Sequence, residues 1–252
     1  MQPEIDVLPS PAALATAVAD RFVSVASGAI RARGEFIVAL PGGSTPRATF
    51  TLLATPGYAG QVDWPRVHVV WSDERCVPPD DAASNYRMAR ETLLDHVPVP
   101  AVNIHRIRGE HDAARAAASY EQVVRTVLRT PSGAPTTSPG ARIDLALLGL
   151  GEDGHTASLF PGKLPPDDAR WAAAVPATPV ARVTLTPPVI NAAAEILFVV
   201  SGSTKGAIVR RVLNAPRDRP ALPAQLINTV DGRVRWMLDA AAAAQLDGSA
   251  RR

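Results

Sequence analysis

The chain has 252 residues, a length that suits one large domain or two small ones, and hydrophobic residues make up 46% of it. Its 26 basic and 24 acidic residues leave a formal net charge of only +2 without long runs of like charge, which argues against a nucleic-acid-binding protein. One cysteine and five scattered histidines exclude an internal disulfide and offer no zinc-ligand spacing, so we expect no metal.

The beginning of the sequence is acidic and amphipathic, and it lacks both the basic start and the apolar stretch of a secretory signal peptide. No uninterrupted apolar run reaches the roughly 18 residues that a membrane-spanning helix needs. We therefore expect a cytoplasmic protein that binds neither membranes nor nucleic acid.

Short apolar runs alternate along the chain with segments of helical periodicity. In chain order, the sequence predicts a helix over 12–32, a strand over 36–40, a helix over 45–54, a strand over 67–71, helices over 85–95 and 112–129, strands over 143–148 and 196–200, a helix over 205–213 and a strand over 234–238. This alternation is typical of an α/β protein with a mainly parallel sheet. Residues 130–140 are rich in proline, serine, threonine and glycine, which indicates a surface loop within a single domain spanning 1–252.

Ligands of open parallel sheets bind beyond the carboxyl ends of the strands, so the residues after each predicted strand are the first site candidates. The strand over 36–40 is followed by Gly42, Gly43 and Ser44 before the next helix begins. The glycines allow backbone N–H groups to point inward, and Ser44 or Thr45 can cap the helix, which favours an anion site. The alternative is a tight turn with an ordinary cap. The lysine of the nucleotide-binding P-loop is absent.

Three charged residues follow the strand over 67–71, among them Asp73 and Arg75. Charged groups at the end of a buried strand are costly unless they face a polar site. Arg75 suits an anion, and Asp73 suits a proton-abstracting base or a residue that orients a hydroxyl. Cys76 has no base beside it in sequence, so we interpret it as a plain buried thiol and not as a nucleophile.

The strand over 143–148 is followed by GLGEDGHT, which contains the pattern G-x-G-x-x-G. A dinucleotide site needs a full helix after these glycines, but prolines follow too soon, so we expect no nicotinamide cofactor. Gly151 instead permits close approach of a small substrate, with Asp153 and His155 projecting into one pocket. Imidazole can take a proton from water near neutral pH and a carboxylate can orient it, so His155 is the candidate general base. The other histidines are expected to be structural.

Two further cations stand beside hydroxyl-bearing residues. Arg182 opens a short extended segment, and Lys205 begins a predicted helix. Exposed cations are common, so each is weak evidence alone. Together with Arg75 they can supply the cations of a phosphate site.

Several segments, in the same order, resemble the 6-phosphogluconolactonases, a family within the sugar-phosphate isomerase and deaminase-like superfamily. They are LPGGSTPR (40–47), WSDERCVPPDDAASNYRMARETLL (71–94), LALLGLGEDGHTASLFPG (145–162), RVTLTPPVIN (182–191) and WMLDAAAA (236–243). The segment GEDGHTASLFPG is highly specific for that family. The resemblance implies a Rossmann-like three-layer fold and hydrolysis of 6-phospho-D-glucono-1,5-lactone to 6-phospho-D-gluconate in the oxidative pentose phosphate pathway, without cofactor or metal.

The resemblance also implies roles for particular residues. His155 would be the general base, with Asp153 beside it, and backbone N–H groups around residues 151–154 could hold the oxyanion. The phosphate would be bound by the Gly42, Gly43 and Ser44 loop with Arg75, Arg182 and Lys205. Asp73 would be either catalytic or structural. We expect a small sugar-phosphate lactone as the only partner, and a monomer or a weak dimer.

Three alternatives stay open at this stage. An isomerase or deaminase of amino-sugar phosphates would share the fold and use Asp73 as its base, although the GHTASLFPG signature favours the lactonase. A sensor would keep the pocket without the chemistry, which the joint presence of Asp153 and His155 argues against. A nicotinamide-dependent dehydrogenase rests only on the glycine pattern.

Overall fold

The computed structural model describes residues 4–129, 142–163, 169–177, 179–229 and 231–246, and the loop expected at 130–140 lies outside these ranges. The helices and strands are β1 (Glu4–Leu8), α1 (Pro11–Arg33), β2 (Phe36–Leu40), α2 (Ser44–Leu53), α3 (Pro56–Ala59), β3 (Val67–Trp71), β4 (Asp73–Arg75), α4 (Asn85–Thr92), α5 (Ala113–Val127), β5 (Leu145–Leu148), β6 (Ala172–Val175), β7 (Arg182–Leu185), α6 (Pro187–Asn191), β8 (Glu195–Val200), α7 (Gly206–Asn214) and β9 (Arg233–Asp239).

Six strands form a parallel sheet in the order β1-β9-β8-β5-β2-β3. Its central strands β2, β5 and β8 are buried at every residue, as expected when helices cover both faces of a parallel sheet. The result is the mainly parallel sheet that the sequence pattern predicts, in the Rossmann-like three-layer arrangement that the family resemblance implies. Three more strands form a small antiparallel sheet in the order β4-β7-β6 beside the carboxyl ends of the large one.

All the predicted strands belong to the parallel sheet, and the largest error is at β5, which is predicted from residue 143 and begins at Leu145. The largest error among the helices is at α4, which is predicted to end at residue 95 and ends at Thr92. Strands β1, β4 and β6 are missing from the prediction, and β7 is predicted only as the short extended segment that Arg182 opens. β1 is an edge strand with polar residues, β4 has three residues, and β6 is mostly alanine, so none carries the apolar run that identifies a strand.

Helix α1 begins after Ser10, whose hydroxyl caps the first turn, and ends at Gly34 with a φ of 83°, a left-handed conformation that suits glycine. By length and composition alone it is long and apolar enough to cross a membrane, although Asp20 and Arg21 interrupt its apolar run. Core helices of soluble proteins pass the same test. Here Leu14, Val18 and Phe22 are buried in the core, which accounts for the apolar face of the helix.

His68 in β3 and His105 form a stacked pair with ring centroids 5.6 Å apart, and Nδ1 of His68 lies 3.3 Å from Nε2 of His105. Glu35, which is paired with Arg129, faces the other ring nitrogen of His68 at 3.9 Å. Burial, followed by the charge on His68, lowers the pKa of His105 to about 4, and burial also lowers the pKa of His68. These histidines are part of the fold, as the sequence predicts.

This pair makes the stability of the protein depend on pH. The folded pKa of His105 is depressed, so its contribution to stability is complete above about 6.5 and is lost as pH falls toward about 4. In that window the unfolded chain binds a proton that the folded protein does not. The free energy of unfolding should fall by at most about 1.4 kcal/mol per pH unit. The actual fall should be smaller, because the ring is only half-buried and solvent screens its charge.

Urea denaturation at several pH values between about 4 and 7 measures this dependence. We expect His105→Gln to flatten the curve relative to wild type, whereas His96→Gln, at an exposed histidine outside the pair, keeps the wild-type slope. Because carboxylates contribute equally to all three proteins, the differences isolate the pair. Identical slopes in wild type and His105→Gln would contradict the prediction.

Candidate active site

A cavity of about 350 Å³ lies where the carboxyl ends of the parallel strands meet the small antiparallel sheet. Loops after β2, β5 and β8 form one part of its wall, and strands β4 and β7 form the other. Among its lining residues are Gly42, Gly43, Ser44, Asp73, Arg75, Gly151, His155, Arg182 and Lys205. The structure therefore brings together every predicted site residue except Asp153, which contacts His155 just outside the lining.

His155 is fixed by the loop that carries it. Its ring Nδ1 lies 2.6 Å from Oδ1 of Asp153, and its backbone N–H donates to the same oxygen at 3.1 Å. The ring of Phe160 packs against the imidazole with centroids 4.7 Å apart. Because Nδ1 donates to the carboxylate, Nε2 is the nitrogen that can accept a proton in the cavity.

Gly151 packs directly against the ring of His155. A Cβ at Gly151 would lie 2.0 Å from Nδ1 of His155, so only glycine fits under the imidazole.

Burial acts to raise the pKa of Asp153, but the hydrogen bonds and the charge of His155 lower this pKa overall. Asp153 is therefore a carboxylate that can orient the ring and stabilise its protonated form.

Two of the expected oxyanion donors, the N–H groups of Gly151 and Gly154, are used within this loop. The N–H of Gly151 donates to the carbonyl of His155 at 2.8 Å, and the N–H of Gly154 donates to the carbonyl of Gly151 at 3.0 Å. Both groups are thus used to close the turn that positions His155. For these two groups the expectation that they face a reacting oxygen is wrong, because their hydrogen bonds are made within the loop. The N–H groups of Glu152 and Asp153 stay as the predicted donors.

The loop after β2 forms an anion-binding wall. Helix α2 begins at Ser44, and its N-cap is Gly43 with a φ of 107° and no side-chain cap, so the expectation that Ser44 or Thr45 caps the helix is wrong. The N–H groups of Ser44 and Thr45 lie in the first turn, where a helix offers no acceptor, and no other described group accepts from them. Such a helix N-terminus attracts anions.

Arg75 and Arg182 lie opposite each other in the antiparallel pairing of β4 with β7. Within the described ranges neither guanidinium forms an ion pair, and the Nε atoms of both are buried without a hydrogen-bond partner. Burial, followed by the charge of Arg75, lowers the pKa of Arg182. Two adjacent, partly buried cations that form no ion pair with a described residue indicate a site for an anion.

Lys205 completes this cationic side of the cavity. It ends a 3₁₀ turn over Ser203–Lys205 and so precedes α7, whereas the sequence predicts that it begins the helix. Its Nζ lies 3.9 Å from Oε1 of Glu152. The loop that carries it is held by Asp239, which accepts from the Ser201 hydroxyl at 2.5 Å and from the Gly202 N–H at 3.0 Å.

Asp73 lies in the cavity wall with 7% of its surface exposed. Oδ2 accepts from the hydroxyl of Ser158 at 2.6 Å. The side-chain amide of Asn85 donates to the backbone carbonyl of Asp73 at 3.0 Å and to Oδ1 at 3.3 Å. Sequence reasoning missed Asn85, Ser158 and Asp239, although all three fall inside the segments that carry the family resemblance.

Glu74 points away from the cavity and anchors helix α4. It accepts from the N–H groups of Asn85 and Tyr86 at 2.7 and 2.8 Å and from the hydroxyl of Ser84 at 3.0 Å. Burial raises the pKa of this carboxyl, against the lowering by these backbone hydrogen bonds. Of the charged residues after β3, Glu74 therefore serves the fold, while Asp73 and Arg75 face the cavity.

Cys76 is half-buried and does not line the cavity. Burial raises the pKa of its thiol, which is the opposite of what a nucleophilic cysteine needs. Within the part of the chain that the structure describes, no three histidine, cysteine, aspartate or glutamate residues are grouped as metal ligands.

Comparisons with known proteins find relatives over nearly the whole chain. The chain is 39% identical over 250 residues to a 6-phosphogluconolactonase of Nostoc sp., covering 98% of this chain and 99% of that one. The structure of a 6-phosphogluconolactonase from Trypanosoma cruzi superposes with a TM-score of 0.85 at 28% identity, covering 98% of both chains. A monomeric glucosamine-6-phosphate deaminase, covering 96% of this chain and 99% of its own, matches with a TM-score of 0.78 at 19% identity, which shows a shared fold alone.

Residues 9–236 also match the model of the glucosamine-6-phosphate isomerases/6-phosphogluconolactonase family. The match covers most of the sequence and includes all the cavity residues named above. The protein belongs to the glucosamine-6-phosphate isomerase/6-phosphogluconolactonase family.

Proposed function

We propose that the protein hydrolyses 6-phospho-D-glucono-1,5-lactone to 6-phospho-D-gluconate in the oxidative pentose phosphate pathway, without cofactor or metal, and in the cytoplasm. The observation that carries the proposal is the cavity that His155, oriented by Asp153, shares with two arginines that form no ion pair with a described residue. The high coverage of relatives named 6-phosphogluconolactonase supports the same reaction.

In the proposed mechanism, Nε2 of His155 takes a proton from a water molecule while the water oxygen attacks the lactone carbonyl carbon. The resulting tetrahedral intermediate collapses, the bond from that carbon to the ring oxygen breaks, and the ring oxygen receives the proton from the imidazolium. Asp153 keeps the ring in the correct tautomer and stabilises its positive charge. A lactone is a reactive ester, so modest acid–base catalysis with accurate positioning suffices.

The cationic side of the cavity is proposed to hold the phosphate. Phosphate offers acceptor oxygens and close to two negative charges, which match the guanidinium groups of Arg75 and Arg182, the ammonium of Lys205 and the free N–H groups of α2. Binding energy from this remote group can be used to place the carbonyl beside His155, so that it contributes to turnover as well as to affinity.

The competing function is deamination or isomerisation of an amino-sugar phosphate, with Asp73 as the base. Its support is the position of Asp73 in the same cavity and the shared fold with a deaminase. Assays with both substrates separate the two functions.

The experiment uses purified protein that has been treated with EDTA and dialysed. We expect hydrolysis of the phosphorylated lactone well above its spontaneous rate, followed by ³¹P NMR, and no ammonia release from glucosamine 6-phosphate. Ammonia release without lactone hydrolysis would establish the competing function. Activity that EDTA abolishes and zinc or magnesium restores would overturn the metal-free mechanism.

A further inference from the structure

The side-chain amide of Asn85 has a donor that is bonded and an acceptor that is free. The residue is 2% exposed, and its Nδ2 donates to the backbone carbonyl and Oδ1 of Asp73. No described group donates to its Oδ1, yet this oxygen is not fully buried. Because Asn85 lines the cavity, Oδ1 is exposed to the cavity. A buried amide with a free acceptor in a substrate cavity indicates a contact that the ligand completes.

The carboxylate of Asp73 lies beside this acceptor. Its own partners are neutral donors, the hydroxyl of Ser158 and the amide of Asn85, and it forms no ion pair with a described residue. A buried carboxylate remains favourable only when donors satisfy it. An anionic phosphate cannot serve here, whereas hydroxyl groups can.

Gly42 places the anion-binding loop after β2 beside these acceptors. A Cβ at Gly42 would lie 1.8 Å from Oδ1 of Asn85, so the backbone of the anion-binding loop runs directly against the amide. A ligand held by that loop through its phosphate therefore passes its carbon chain beside Asn85 and Asp73. The groups on that chain, in a sugar lactone, are neighbouring hydroxyls.

We propose that Oδ1 of Asn85 and the carboxylate of Asp73 form an acceptor pair that binds neighbouring hydroxyls of the substrate, and that Asn85 determines specificity for polyhydroxylated lactones. This inference rests on the proposed lactonase function and specifies which part of the substrate is recognised. A lactone that lacks the recognised hydroxyl leaves both acceptors buried and unpaired, which is the strongest basis for discrimination.

The test measures kcat/KM on 6-phosphogluconolactone and on analogues that lack the hydroxyl at C2, C3 or C4. We expect wild type to discriminate against at least one analogue by about tenfold or more, and Asn85→Ala to lose most of that preference by losing activity on the full substrate alone. Asn103→Ala removes a buried amide that donates to the Pro65 carbonyl at 3.1 Å outside the cavity, and should keep the wild-type preference.

The outcomes are distinguishable. Failure of wild type to hydrolyse any lactone would refute the proposed function itself. Hydrolysis of all the analogues as fast as the full substrate would overturn only the acceptor pair, and this result does not require the variant to fold. An unchanged preference in folded Asn85→Ala, with thermal unfolding as the check, would also overturn it.

Discussion

Replacing His155 by alanine is expected to lower kcat for the phosphorylated lactone by ~10² to 10⁴, the usual cost of removing a general base. The ring is held by Asp153 and Phe160 with one nitrogen left for proton transfer, and no other histidine lines the cavity among the described residues. Binding of 6-phosphogluconate should change little, because the phosphate contacts belong to other elements.

The measurement is the initial rate after subtraction of spontaneous hydrolysis, together with calorimetric binding of the product. His96→Ala is the matched control, since that exposed ring lies outside the cavity and bonds to the carbonyl of Glu91 at 3.0 Å. Activity of His155→Ala within about threefold of wild type would eliminate His155 as the base.

Replacing Arg75 by alanine is expected to lower kcat/KM for the phosphorylated lactone by roughly ten- to a hundredfold. A charge-assisted contact to phosphate contributes about 1.5 to 3 kcal/mol, and Arg182 and Lys205 remain to hold part of the charge. Unphosphorylated gluconolactone should be a poor substrate for wild type and should be almost unaffected by the substitution.

Arg87→Ala provides the control, because this arginine is on helix α4 outside the cavity and pairs with Glu91 at 2.6 Å. It should behave as wild type on both lactones. Equal losses of Arg75→Ala on the two substrates would assign Arg75 to the fold or to the reacting centre, and the phosphate site would then be sought at Arg182 and Lys205.

The parallel sheet could be predicted from the sequence because its central strands are continuous apolar runs separated by helical segments. The small sheet could not, because three residues in β4 and the alanines of β6 carry no comparable pattern. Yet this sheet supplies Asp73, Arg75 and Arg182. The presence of Asp73 and Arg75 in the site was predictable from their position directly after the strand over 67–71. Arg182 was predictable only from its residue type, the hydroxyls beside it and the family resemblance.

The remaining site residues depend on contacts between distant parts of the chain. Ser158 bonds to Asp73 across 85 positions of sequence, and Asp239 bonds to Ser201 across 38. Serine, asparagine and aspartate are common in turns and caps, so their types alone do not distinguish a support from a surface residue. The Gly151 and Gly154 amides were assigned incorrectly for a related reason, since the direction of an N–H depends on the closed turn.

The loop that carries His155 is fastened to the small sheet at Ser158. Its hydroxyl bonds to Asp73 in β4, and its N–H donates to the Thr184 hydroxyl in β7 at 3.2 Å. The same two strands carry Arg75 and Arg182. The distance from the proposed base to these cations is therefore fixed by the two hydrogen bonds of Ser158 and by the few residues that separate Ser158 from His155 along the chain. We therefore expect the site to select substrates by length. A sugar phosphate whose carbonyl and phosphate are one carbon closer together could place its carbonyl beside His155 or its phosphate against the arginines, but not both.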